Sequence, residues 1–319
     1  MKQCSLDTCF APETTCALGH LKVSDCPTWK SSGQEDPAVN ESSDEIILPW
    51  SGSALGKTDV GFVAGRGTPT MIGIMGAENA GKTTLLAAWY LLIGRGAHVS
   101  SRHSFAGSFT LSGWEAVARS MQWAPGSRPE FPAHTSTRSG GRGQGLLHLT
   151  FREDGERIRD YLFTDAPGLW FQKWAINEEA IDAVGARWIA ENADAFLIVA
   201  DCAALSGGDK GSARAALQLL ARRLGASRRG RPVTLVWAKS DIPIAAEMEN
   251  AVREAVRSQI PDVEEFKVSM RAQGDSDDGR GVGLTTLLDH ALQLRKLRQA
   301  LPATRANTQD ALFLYGARR

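Results

Sequence analysis

The chain has 319 residues, enough for one large domain or two small ones, and its 36 Lys and Arg balance 36 Asp and Glu at zero formal charge. That balance excludes a protein held to nucleic acid or a membrane surface by overall charge, so direct nucleic-acid binding is not indicated. No run of about 18 apolar residues occurs and the N-terminus lacks the apolar core of a signal peptide, so no membrane span is expected and the expected location is cytoplasmic.

Residues 1–30 carry four of the five cysteines, Cys4, Cys9, Cys16 and Cys26, with His20 among them. In a reducing compartment such a cluster reads as metal binding before disulfides. Two readings stay open. A tetrahedral Zn²⁺ would take four of these five ligands, although their spacing is looser than paired C-x2-C knuckles. Alternatively, this is a Cys-bearing segment docked on the main domain or a partner. Residues 31–45 are polar, acidic and free of aromatics, the composition of a flexible linker. A globular pattern covers 46–300, and 301–319 form a C-terminal tail.

The apolar run Thr70–Met75 predicts a strand that leads into Gly76-Ala77-Glu78-Asn79-Ala80-Gly81-Lys82-Thr83-Thr84, and Leu85 to Ile93 continues as a helix. This is G-x-x-x-x-G-K-[ST], the phosphate-binding loop, between the strand and helix that the motif requires. Its glycines let backbone N–H groups close round an anion, and the helix N-terminus adds a favourable dipole. Lys82 is the candidate for the β- and γ-phosphates, and Thr83 for Mg²⁺. Gly56-Lys57-Thr58 also spells G-K-T, but Ser51 stands where the first glycine belongs and no apolar strand precedes it.

Phe105 to Met121 predicts a short strand and a helix with Leu111, Trp114 and Val117 on one face. Residues 124–145 form a Pro-, Gly-, Ser- and Arg-rich loop without periodicity, long enough to suggest function. Strands follow at Leu146–Phe151 and Ile158–Thr164, joined by the turn signal Glu153-Asp154-Gly155-Glu156. A helix is expected at Asn177–Asn192, a strand at Ala195–Ala200, a helix at Lys210–Leu224 and a strand at Pro232–Ala238. The series ends with a helix at Ile244–Arg257, a strand at Glu265–Ser269 and a helix at Leu284–Leu297. Arg222-Arg223 to Arg228-Arg229-Gly-Arg231 reads as a solvated helix end and loop. Alternating strands and helices imply an α/β fold, a mostly parallel sheet with helices on both faces.

Two more motifs close strands. Asp165-Ala166-Pro167-Gly168 puts a carboxylate where Mg²⁺ needs a supporting acceptor, and Gly168 can offer a backbone N–H to the γ-phosphate without a side chain in the way. Trp237-Ala238-Lys239-Ser240-Asp241 ends the later strand. Together the phosphate loop, D-x-x-G and x-K-x-D resemble the TRAFAC class of P-loop GTPases, which includes translation factors and Ras-like proteins. That resemblance implies GTP and GDP as ligands, with the Lys239 stem stacked on guanine and Asp241 accepting from its N1–H and N2–H₂. It places Ser269-Met270 at a base-contacting loop. It also puts switch I in the loop before Leu146, with Thr137 or Thr135 as the Mg²⁺ ligand that senses γ-phosphate.

There are departures from the class. Ala238 replaces the usual Asn, which should loosen support of the loop more than the base contact. Leu169 and Trp170 follow Gly168 where many members carry a water-positioning Gln. Transition-state charge would then come from Arg138, Arg142 or a partner's arginine, or from K⁺ bound beside Asn79. The runs 79–92, 105–114 and 163–170 are similar to those of the bacterial double-GTPase proteins of conflict or antiphage-type systems. That likeness covers about 46–300 and implies a second GTPase as partner, recognised through the switch loops. Three functions are therefore in play: a GTP-hydrolysing regulatory switch, a zinc-binding assembly or metal-trafficking factor, and a nucleotide-binding scaffold with little hydrolysis of its own.

Overall fold

The computed structural model describes residues 54–97, 102–123, 125–126, 128, 130–132, 145–154, 156–271 and 281–295. Cys4, Cys9, Cys16, His20 and Cys26, the linker 31–45, Thr135, Thr137, Arg138, Arg142 and the tail 301–319 lie outside the described residues.

Seven strands form one sheet: β1 (Thr70–Gly76), β2 (His103–Gly107), β3 (Gly145–Glu153), β4 (Arg157–Asp165), β5 (Ala195–Asp201), β6 (Val233–Ala238) and β7 (Glu264–Val268). Their order is β2-β3-β4-β1-β5-β6-β7. β1 pairs in parallel with β4 and β5, and β5–β6 and β6–β7 are parallel too. The β2–β3 and β3–β4 pairs are antiparallel, so a meander extends one edge of a parallel core. The chain changes direction across the sheet at β1, where the connections leave for opposite sides. That switch point is where open α/β sheets bind ligands, beyond the carboxyl ends of their strands.

Alternation along the central strands builds two cores. Met71 and Met75 of β1 join Phe196, Ile198, Leu235 and Trp237 on one face, while Ile72 and Ile74 join Leu197, Val199, Val236 and Phe163 on the other. Period-two burial on both faces needs near-continuous apolar strands, and β1 and β5 are buried almost throughout. The first face is covered by α1 (Val60–Ala64), α4 (Gly168–Ile176), α5 (Val184–Asn192), α7 (Lys210–Ser227) and α8 (Ala246–Arg257); α6 (Cys202–Ser206) follows β5. The second face carries α2 (Lys82–Gly94), α3 (Leu111–Ala118) and α9 (Leu284–Gln293). Trp89, Trp114, Trp174 and Trp237 are fully buried, and truncating any one to Ala should cost about 3–5 kcal/mol. No helix among the described residues is long and apolar enough to cross a membrane.

Two local expectations need correction. A single helix over 177–192 does not form; α5 begins at Val184 after a short 3₁₀ turn, and α4 occupies 168–176, where no helix was expected. Asn177 is the cause. Its backbone is extended and its side chain accepts the Glu179 N–H, a local turn that competes with helix. The second correction concerns α3. Trp114 is buried and Val117 half-buried, but Leu111 is 45% exposed because the helix turns Gly113, Trp114 and Ala118 inward instead.

Candidate functional site

The phosphate loop joins β1 to α2 through two residues in the left-handed region, Asn79 (φ 60°) and Gly81 (φ 94°). Gly81 caps α2, and its conformation is one that a β-carbon would strain. Such alternations turn successive N–H groups toward a common point and make an anion-binding concavity at the helix start. Lys82 is buried, and its Nζ donates to the carbonyls of Ala77 (2.8 Å) and Gly76 (3.2 Å). Burial pushes its pKa down to about 8, and the carboxylates of Asp165 and Glu78 work against that shift.

Asp165 ends β4 beside this loop. Thr83 Oγ1 donates to Asp165 Oδ1 at 2.9 Å, which commits the hydroxyl proton to the carboxylate. That donor set suits Mg²⁺, which is usually held by few protein groups together with substrate phosphates. Gly168 opens α4 so close to the loop that a β-carbon there would come within 2.2 Å of Glu78 N and 2.4 Å of the Ala77 carbonyl carbon. Only glycine permits this approach.

The second half of the site comes from the ends of β5, β6 and β7, brought level by the pairings Asp201↔Ala238 and Ala238↔Val268. Lys239 is itself left-handed (φ 58°), and its Nζ donates to Asn79 O at 2.8 Å and to Asp201 Oδ2 at 2.7 Å. Asp201 Oδ1 accepts the Ala203 N–H at 2.9 Å, which caps α6 and fixes the carboxylate. Asp241 accepts from Ser269 Oγ at 2.7 Å, and the Ser240 N–H bonds Val268 O at 3.0 Å. The Ala238 side chain packs 3.7 Å from where a Gly81 β-carbon would stand.

These groups converge. A cavity of about 320 Å³ is lined by Glu78, Asn79, Gly81, Lys82, Thr83 and Thr84 of the loop, by Gly168, and by Lys239, Asp241 and Met270. Asp165 acts on it through Thr83, and Ser269 through Asp241. Sequence reasoning missed Asp201, and also Phe131, Pro132, Ile242 and Arg271, which share the lining. Asp201 carries the same signal as Asp165, a carboxylate closing an apolar strand, and could have been found by it. Phe131 lies in a loop without periodicity, where nothing marks one aromatic as special. Leu169 is half-buried, and Trp170 packs onto α5, 2.3 Å from where a Gly185 β-carbon would project. Neither Leu169 nor Trp170 offers a side-chain acceptor for the proton of an attacking water. No cluster of three or more His, Cys, Asp or Glu that could hold a metal occurs among the described residues.

A family model described as Double-GTPase 2 matches residues 70–292, from the start of β1 into α9. No curated protein matches the sequence. Among solved structures, Era in complex with MgGDPNP and nucleotides 1506–1542 of 16S ribosomal RNA is 18% identical, with 73% of this chain and 58% of that one covered and a TM-score of 0.37. An Era from Aquifex aeolicus bound to GDP·AlF₄⁻ is 17% identical, with 70% and 56% covered and a TM-score of 0.36. The chain thus spans little more than half the length of either Era chain.

Proposed function

Because the chain belongs to the Double-GTPase 2 family, we propose that it is a GTP-hydrolysing switch read by a protein partner, a second GTPase, in a bacterial conflict or defence system. One observation carries the nucleotide chemistry: the phosphate loop, Gly168, Lys239 and Asp241 line a single cavity. Lys82 and the loop N–H groups take the β- and γ-phosphates. Thr83 Oγ1, backed by Asp165, would hold Mg²⁺, which when bound neutralises charge between those phosphates. The Lys239 stem covers the purine, and Asp241, oriented by Ser269, accepts the two guanine N–H groups that adenine does not offer together. Met270 and Phe131 enclose the base, and Thr137 or Thr135 senses the γ-phosphate.

Hydrolysis needs help that the residues after Gly168 do not provide, because Leu169 has no polar group and the Trp170 indole N–H can donate to an attacking water but cannot accept its proton. Arg138, Arg142 or an arginine of the partner fills that role, with K⁺ at Asn79 as a further source of charge. The same feature favours a second reading, a GTP-binding scaffold that turns over slowly. Titrating fluorescent GTP, GDP and ATP analogues at millimolar Mg²⁺ tests the first claim, with Lys82→Ala as the dead control. Equal affinity for ATP, or none for GTP, would end it. Phosphate release with and without the partner GTPase, in KCl and in NaCl, separates switch from scaffold.

A further inference from the structure

α4 and α7 leave a groove between them that the nucleotide site does not use. Ala175 and Ile176 of α4 and Leu219 and Ala226 of α7 line a cavity of about 450 Å³, with Arg222 and Arg223 on its rim. Ile176 is 73% and Leu219 41% exposed. A second cavity of about 260 Å³ shares Arg223 and Ala226 and adds Trp174, Arg187, Arg229 and Arg231, four arginines against the two glutamates Glu178 and Glu191.

Several donors here are uncommitted. Trp174 is buried, and its indole Nε1 has no hydrogen-bond partner among the described residues. Arg222 and Arg229 are exposed and have no ion-pair partner among the described residues, and Arg229 is held in the left-handed region at φ 50°. Exposed Ile176 and Leu219 beside the spare guanidinium groups of Arg222 and Arg229 fit an acidic, amphipathic surface. The groove also lies on α4, whose first residue, Gly168, touches the phosphate-loop backbone.

We propose that this α4–α7 groove docks an acidic, amphipathic segment of the partner protein. Its apolar side chains cover Ile176 and Leu219, and its carboxylates meet Arg222 and Arg229, while Arg223 stays paired with Glu178 at 2.8 Å. The proposal rests on the switch reading above and gives the partner's contact its chemistry. Nucleic acid fits less well, since no exposed aromatic lines the groove for stacking and glutamates interrupt the arginines.

The test uses the full-length chain in its native cells, with a photoreactive benzoylphenylalanine replacing Leu219 and the adducts mapped by mass spectrometry. The expected adduct is a protein segment of net negative charge with apolar residues spaced along it. Its yield should fall at least tenfold in Arg222→Glu/Arg229→Glu, while GTP affinity stays within twofold and so certifies the fold. An adduct with RNA or lipid, one with a basic or wholly polar segment, no adduct, or a yield indifferent to the charge reversal overturns the proposal. Loss of GTP binding in the unsubstituted chain would instead sink the switch reading, and the adduct would still score the groove.

Discussion

Asp201 Oδ2 lies 2.7 Å from Lys239 Nζ, and the same amine donates to Asn79 O at 2.8 Å. One ammonium group thereby ties the ends of β5 and β6 to the phosphate loop. The GTPase class resembled here usually has Asn at position 238, and this chain has Ala, whose methyl group makes no hydrogen bond. The Asp201–Lys239–Asn79 chain supplies a tie of its own at that point. Because Lys239 is about a third exposed, the pair is worth less than a buried one. Asp201→Asn should weaken GTP binding by roughly 3- to 10-fold, about 1 kcal/mol. Fluorescent-nucleotide titration checks this, and an unchanged affinity would show that the tie is idle.

The proposed function rests guanine selection on Asp241, one of whose oxygens accepts from Ser269 Oγ at 2.7 Å. Asp241→Asn replaces an acceptor pair with an amide that can donate to a purine 2-carbonyl. GTP affinity should drop by about 10- to 100-fold, as expected for losing hydrogen bonds to a charged group, while XTP affinity rises. Ser269→Ala should cost less, because it frees the carboxylate without removing it. If Asp241→Asn left the GTP-to-XTP ratio unchanged, Asp241 would not read the base.

Burial lowers the Lys82 pKa to about 8, whereas triphosphate oxygens bound beside the amine, as proposed, would favour its charged form. The sign follows. Well below pH 8 the amine is already protonated and binding takes up no proton on its account. At pH 8.5 much of it is neutral, so GTP binding draws a proton from solution, and affinity falls as pH rises further. Calorimetry at pH 8.5 in two buffers of different ionisation heat measures the uptake. Buffer-independent heats there would contradict the burial argument.

His148 is buried in β3, where its Nδ1 accepts the Phe109 N–H at 2.9 Å. The neutral ring therefore carries its proton on Nε2, which lies 2.9 Å from Asp160 Oδ1. Burial holds His148 below the ordinary histidine range, although Asp160 pulls the other way, and burial lowers His103 and His290 as well. The unfolded chain then binds more protons than the folded one as pH falls through about 6.5, so stability is present above that value and is lost below it. Thermal melting at pH 7.5 and 5.5 should show the lower midpoint in acid, with a shallower dependence in His148→Gln. Identical midpoints in the two buffers would refute the assignment.

The sequence by itself determined most of the loop end of the cavity. Gly76, Gly81, Lys82 and Thr83 are legible because their spacing, between an apolar strand and a helix, leaves little else for those residues to do. Asp165 is legible as a carboxylate closing a strand, and Asp241 through the x-K-x-D motif that follows β6. Only the tertiary structure decided which other residues join them. Strand register sets Asp201 beside Ala238 and so within reach of Lys239, and register is a relation between segments that no local pattern records. The same holds for α4. Its helical state depends on packing Phe171 and Trp174 against the sheet, and the local turn at Asn177 divides it from α5. The contact of Gly168 with the loop and the groove at Ile176 follow from that packing, because burial against distant strands outweighs local preference in so short a helix.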